Sequence, residues 1–254
     1  MDYELPHKSA FFELRRGLPV VAAVLFVAAL LFPMWTIEVH AVQYPSTTLH
    51  LQLYAYPRIA GDYAEMANLN KYIGFYYPDP VYWQPNYAPH EYAVDVPEWS
   101  FGPLAFVAVS AASVFVALAP DNRRLKRGLI AQLVGTVTVF GVMLADIQYR
   151  LYQAGHTLDP GAPVMGVDGF TPPLWGSYHV ANITSYSRFG TGAYLSMLAV
   201  ALLAVAFYHR DSDATPRDAL RGLRRRGRGL RDRVRGIRGG ADGDPARADE
   251  SGGR

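Results

Sequence analysis

Four apolar runs of bilayer length alternate along this chain with polar segments of very different character. They cover residues 18–37, 101–119, 129–147 and 189–208. An α-helix rises about 1.5 Å per residue, so roughly 20 apolar residues cross the hydrocarbon core. The first run carries no charge and ends at Pro33-Met34-Trp35, where a Trp suits the interfacial belt. A cleaved signal peptide is the alternative reading of that run. It is long for one, and it lacks a small-x-small site at its end. The later runs carry small residues that permit close helix packing: Ala108, Ala111 and Ala112, then Gly135 and Gly141, then Gly192, Ala193 and Ser196. Asp146, in the last turn of the third run, is the only ionisable residue within the four.

The long segments between runs have patterns of their own. Ile37–Gln43 and Leu49–Leu53 alternate apolar with polar residues, as half-buried strands do, and Tyr44-Pro45-Ser46 suits a turn between them. Asp62 and Glu65 have capping-box spacing ahead of a short helix. Met66, Leu69 and Ile73 share one face of that helix, and Gly74 suits its stop. The Pro-, Tyr- and Trp-rich stretch from Tyr76 to Trp99 reads as irregular loop. So does the region around Gly155–Pro160 and Phe170–Gly176. The expected fold is therefore an all-α membrane protein. It is a bundle of four transmembrane helices under a small extracytoplasmic cap, part α+β and part irregular, built from residues 38–100 and 148–188.

Charge sets the orientation. Lys8, Arg15 and Arg16 precede the first run, and Arg123, Arg124, Lys126 and Arg127 fill the segment 120–128. Thirteen Arg follow the fourth run, in 209–254. By contrast, 38–100 contains only Arg58 and Lys71, and 148–188 only Arg150 and Arg188. The positive-inside rule then places the arm 1–17, the 120–128 loop and the tail in the cytoplasm. This is a multi-pass protein of the cell membrane with both termini inside. In the tail, Leu220, Leu223, Leu230, Val234 and Ile237 recur among Arg residues. That pattern suits an amphipathic helix on anionic lipid headgroups, with a disordered topology-setting tail as the alternative. No aromatic residue interleaves with the basic ones, so nucleic acid is not the expected partner.

The 254 residues include no Cys, which excludes disulfides, thiolate metal sites and a Cys nucleophile. Ligands for a metal such as copper would have to be His, Met or carboxylate. Five of the seven His fall outside: His40, His50, His90, His156 and His179. None has tight metal spacing, and a lone loop His is more often simply hydrogen-bonded. His156 shares a turn with Asp159, and Asp146 stands at the outer end of the span leading there, as an anchor for His156 or Arg150 or as an interfacial carboxylate wetted by headgroup water. A carboxylate near His fixes its tautomer, as a ligand or proton relay needs. His156 and Asp159 are the leading metal candidates, with Met66 and Met165 as further soft donors and His179 and His40 behind. No nucleotide, hydrolase or zinc-protease motif is present. No His lies within a run, which argues against haem in the bundle.

Two outer segments carry a family resemblance. One is Ala41-Val42-Gln43-Tyr44-Pro45, with Gly61-Asp62 and Glu65-Met66-Ala67-Asn68-Leu69-Asn70-Lys71-Tyr72-Ile73-Gly74 after it. The other is Gly155-His156-Thr157-Leu158-Asp159-Pro160-Gly161-Ala162-Pro163, followed by Pro172-Pro173-Leu174. They resemble uncharacterised multi-pass membrane proteins encoded beside nitrous-oxide reductase and its copper-delivery proteins. Val42, Lys71 and Phe75 stand where that family has Pro, His and Met, which removes two soft donors from the first segment. The resemblance implies an accessory role on the outer face: assembly, copper loading or electron supply of an extracytoplasmic copper enzyme in denitrification. A metal-free docking scaffold and a quinol-linked electron-transfer subunit are the alternatives. An independent enzyme ranks last, because no catalytic constellation is readable.

Overall fold

The computed structural model describes residues 13–78, 90–164, 166–213 and 215. The amphipathic tail, Lys8, Met165 and part of the Pro/Tyr/Trp stretch lie outside these residues.

Among the described residues there are five α-helices and five strands. Among the described residues, three helical segments are long and apolar enough to cross a membrane: Pro97–Ala117, Asn122–His156 and Thr191–Tyr208. The first combines a 3-10 turn, Pro97–Phe101, with α3, Gly102–Ala117; the others are α4, Asn122–His156, and α5, Thr191–Tyr208. The first apolar run behaves differently. Its helix α1, Leu14–Ala29, has 16 residues, and from Trp35 the chain is strand β1, Trp35–Ala41. The 18–37 run is thus a helix and the start of a strand. Pro33 lacks an amide donor and disfavours helix in the residue before it. Thr36, Ile37 and Val39 then favour the extended form. Hydropathy alone reads both conformations as one run. In α4 the error runs the other way. Its 35 residues extend about 52 Å, well beyond the roughly 30 Å hydrocarbon core, so the apolar 129–147 is only its middle.

The helices pack side by side, α1 against α3 and α5, and α4 against the same two. Phe26, Phe106 and Phe140 meet between them, with ring centroids 5.0–6.4 Å apart. Gly192 lies where a Cβ would come within 2.7 Å of the Ala29 carbonyl, so its small size serves α1–α5 contact as expected. Gly135, Gly141, Ala108, Ala111 and Ala112 do not mark contacts; they are exposed. A polar knot holds α3 to α4 instead. Gln132 Nε2 donates to the Val109 carbonyl (3.0 Å), Ser113 Oγ (2.8 Å) and Thr136 Oγ1 (3.2 Å).

The described basic flanks gather at one end of the helices. Arg16, only 4% exposed, donates from Nη1 to the carbonyls of Ala117 and Ala119, both at 2.8 Å. It thereby satisfies the last carbonyl of α3 and one in the turn just after it. Arg15 pairs with Glu13 and Asp213, and Lys126 with Asp211 (2.6 Å).

A five-stranded antiparallel sheet, ordered β3-β2-β1-β5-β4, stands at the other end. Its further strands are β2, Leu49–Leu53, β3, Ile59–Gly61, β4, Gly176–Val180, and β5, Ile183–Phe189. The all-α class is therefore too narrow, and the cap is far less irregular than its sequence suggests. The β1–β2 pair falls where alternation predicts it. The β4–β5 hairpin escapes the pattern because its inward positions include Ser185 and Ser187, both buried. Its turn is Ala181-Asn182, with Ala181 at φ 51, and not a glycine pair. The central strands β1 and β5 continue directly from α1 and into α5. Gly190 and Gly192 amides donate to the carbonyls of Met34 (2.8 Å) and Pro33 (2.9 Å), which fastens the sheet to the helices.

Candidate functional site

Helix α2, Tyr63–Lys71, lies on the inner face of the sheet and buries Tyr63, Met66 and Leu69. Ile73, Phe75 and Tyr77 extend the same core after the helix ends. Asp62 does not cap α2. Its Oδ2 accepts from the His50 amide at 2.8 Å, and its own amide donates back to the His50 carbonyl at 2.8 Å. The capping-box expectation thus fails because β2 captures the carboxylate first; Glu65 is exposed. Asn70 holds the chain reversal that follows. Its carbonyl accepts from the amides of Ile73 and Phe75, and its side chain bonds Tyr77. Burial pushes the Tyr77 phenol well above its usual range.

Gly74 is the pivot. Its φ of +76 is a left-handed conformation that favours glycine. A Cβ there would sit 2.7 Å from the Asp159 carbonyl oxygen. The Asp159 amide donates to the Gly74 carbonyl (2.9 Å), and the Val164 amide to the Tyr72 carbonyl (2.9 Å). The two segments that carry the resemblance are therefore bonded to each other. Asp159 turns its carboxylate to the Gly161 amide (2.7 Å) and the Tyr76 hydroxyl (3.4 Å). Burial first, and the Asp159 charge second, raise the Tyr76 pKa. Asn68, Lys71, Tyr72, Tyr76, Asp159 and the 161–163 loop line a groove of about 470 Å³. It offers an ammonium, two phenols and an amide above an apolar floor of Ala162 and Pro163. Gln43, Tyr44 and Pro45 form the β1–β2 turn and do not line it; Tyr44 packs on the core while Gln43 and Pro45 are exposed.

His40, His50, His90, His156 and His179 are all exposed. His156 and Asp159 take separate partners: His156 Nδ1 donates to the Tyr152 carbonyl (2.8 Å), and its ring stacks on Tyr152. His90 stacks on Tyr76 at 3.6 Å. His50 faces Glu38 across the β1–β2 ladder, and His40 and His179 flank Thr184. Among the described residues no three His, Asp or Glu side chains gather as a metal site.

A second polar cluster joins Asp146 to Arg150, one of the two partners its position suggests, and adds Glu98, which the sequence reading misses. Glu98 accepts from Arg150 Nε at 2.5 Å, Arg150 also bonds Gln153 (2.9 Å), and the Asp146 carboxyl lies within hydrogen-bonding reach of Glu98. Asp146 is thus anchored by Glu98 and Arg150, with no bond to His156. The signal available was a carboxylate, Glu98, set just ahead of a span with Arg150 a turn beyond another.

No family model matches the chain, and no curated protein or solved structure matches it either.

Proposed function

We propose that this chain is an integral membrane accessory protein acting on the extracytoplasmic face, in assembly, copper loading or electron supply of a nitrous-oxide-reductase-type system. In this reading α1 joins α3, α4 and α5 as a fourth span, both termini are cytoplasmic, and the sheet and α2 form the outer cap. The gathering of Arg15, Arg16, Arg124 and Lys126 at the helix end opposite the sheet supports that orientation. The observation that carries the functional reading is the Gly74–Asp159 junction. Two segments some 80 residues apart in sequence join to build one groove. Exposed Tyr72 and Lys71 at its rim suit docking of a partner protein.

A quinol-linked role is the second reading. The Glu98–Asp146–Arg150 cluster at the outer end of α4 favours it, since intramembrane or interfacial ionisable groups commonly mark proton or substrate paths.

Deleting the gene in its native cells tests both. Reductase that is present but short of copper supports loading. Reductase that is copper-replete, yet reduced only by an artificial donor, supports electron supply. Wild-type reductase copper content and quinol-driven turnover in the deletion strain overturn the proposal. Complementation with Lys71→Ala/Tyr72→Ala then reports on the groove.

A further inference from the structure

The chain contains one Asn-x-Ser/Thr sequence, Asn182-Ile183-Thr184, and the fold sets it at the tip of a hairpin. Val180 pairs with Ile183, so Ala181 and Asn182 alone make the turn between β4 and β5, and both are exposed. Ala181 takes the left-handed conformation, φ 51, that such a short turn demands. Neither Ile183 nor Ser185, the residue after Thr184, is a proline. From Ile183 the strand β5 runs 7 residues to Phe189, and α5 begins at Thr191. At about 3.4 Å per residue that strand lifts Asn182 about 24 Å from the helix end. A headgroup layer is only roughly 5–7 Å deep on each side of the hydrocarbon.

We infer that Asn182 is an N-glycosylation site, its side-chain amide carrying an oligosaccharide delivered from a polyprenyl-phosphate carrier by a membrane transferase on the outer face. The site rests on the cap facing outward and is independent of the groove and of copper. The transfer is a substitution at the anomeric carbon of the sugar. A bond forms from Asn182 Nδ2 to that carbon, and the bond from the carbon to the carrier phosphate oxygen breaks with its electron pair. The amide gives one proton to a base of the transferase, and nothing is oxidised or reduced. Thr184 supplies the hydroxyl that the acceptor sequence requires. In the folded sheet that hydroxyl is engaged, with Oγ1 2.9 Å from His179 Nδ1. Transfer therefore belongs to the stage before β4 pairs with β5, while the segment 182–184 is extended and open. Once the hairpin closes, Asn182 is exposed at the turn, so a bulky polar substituent stays in solvent. It stands over two features that a bare cap leaves open. β4 is at the edge of the described sheet, and an edge strand is a template for pairing with another chain. Val42, 72% exposed, follows Ala41, the register partner of Ile183.

The test is mass spectrometry of the full chain purified from the membranes of its native cells. The peptide spanning Asn182 should be recovered with sugar attached, losing single sugars on fragmentation, and the intact chain should be heavier by the same amount. Asn182→Gln and Thr184→Val should each abolish the added mass, and Thr184→Ser should keep it. Asn182→Cys, which has no acceptor amide, should react with a membrane-impermeant maleimide in intact cells. A bare Asn182 peptide from wild-type chain, together with an Asn182→Cys that is labelled from outside, overturns the glycan and leaves the cap outside. Protection of Asn182→Cys in intact cells overturns the outer cap, and the glycan with it. Added mass that survives Asn182→Gln lies at another residue and also overturns the assignment.

Discussion

The Asp159 amide donates to the Gly74 carbonyl across 2.9 Å, and this bond joins two segments of the cap that are 85 positions apart in sequence. Gly74 lies three residues beyond the end of α2, and Asp159 three residues beyond the end of α4. The longest helix therefore reaches up into the cap and is fastened there. The basic end is fastened differently, through Arg16 on the carbonyls at the end of α3 and in the turn after it. Cap and helices are held as one body by contacts at both ends of the chain's helical part.

Gly74 should be intolerant of any side chain. A left-handed backbone costs a non-glycine residue roughly 1–2 kcal/mol. The built Cβ also falls 2.7 Å and 2.9 Å from Asp159 backbone atoms, which have no freedom to move aside. Gly74→Ala should lower stability by about 2 kcal/mol or more, read as a fall in the unfolding temperature in detergent. Gly135→Ala is the contrast. Nothing lies within 4 Å of its Cβ position and it sits mid-helix, so the change should be neutral or stabilising by up to about 1 kcal/mol. Equal effects at the two positions would remove the case for the Gly74–Asp159 junction.

Much of the helical scheme was legible because apolar length is a strong signal, and the short α2 because Met66, Leu69 and Ile73 keep helical spacing. The sheet was half legible. Leu49, Leu51 and Leu53 alternate in plain view, whereas Ser185 and Ser187 hide an inward face behind small polar residues. Arg15 and Arg16 read as topology signals, and their burial was invisible; a cation can be buried when helix-end carbonyls satisfy it. The site suffered most. Asp159 was paired with His156 on spacing alone, but the turn sends its carboxylate to Gly161 and Tyr76. Glu98 could not be matched to Asp146 and Arg150, because nothing in a sequence marks partners about 50 residues apart.

Arg16→Met should destabilise the protein by about 1–3 kcal/mol, since the carbonyls of Ala117 and Ala119 lose their donor. Arg16→Lys should recover only part, because one ammonium cannot reproduce the planar fork. Chemical unfolding in detergent measures both. Full tolerance of Arg16→Met would show that water reaches those carbonyls.

The cap should fail in alkali. Burial holds the phenols of Tyr77 and Tyr178 above the usual tyrosine range. The folded-state pKa values thus exceed the unfolded value of about 10, so the folded state binds more protons between the two. Their contribution is complete below about pH 10 and is lost as pH rises toward the folded values. Tyrosinate absorbance should therefore appear in two phases, with Tyr77 and Tyr178 in the later one, together with loss of sheet signal. Tyr178→Phe should delay the second phase. A single phase near pH 10 with the sheet intact would show that both phenols are open to water.

Arg150 should matter only while its carboxylates are charged. It contacts Glu98 at 2.5 Å, with both side chains about a third exposed, and Asp146 stands beside them. Removing the guanidinium alone leaves two carboxyls facing each other, and solvent screening holds the expected cost of Arg150→Ala to about 1 kcal/mol. In a Glu98→Gln/Asp146→Asn background the same substitution should cost little. The difference between the two backgrounds, from unfolding midpoints, measures the coupling. Additivity would mean that Arg150 acts through packing against Tyr149 and Gln153 instead.

The natural absence of Cys makes the membrane arrangement directly testable. If the helices cross the bilayer as proposed, His90 lies outside and Arg123 inside. The short α1 is the element most at risk in that scheme, since 16 helical residues extend only about 24 Å against a core of roughly 30 Å. The turn through Leu31 and Phe32, both exposed and apolar, makes up the difference before Trp35 enters the sheet. A membrane-impermeant maleimide applied to intact cells should label His90→Cys and spare Arg123→Cys until the membrane is opened. Glu13→Cys, just before α1, should behave like Arg123→Cys. If Glu13→Cys were labelled in intact cells while Arg123→Cys stayed protected, α1 would lie on the outer side and the four-span arrangement would fall. Labelling of His90→Cys and Arg123→Cys from one side would remove the outer cap altogether.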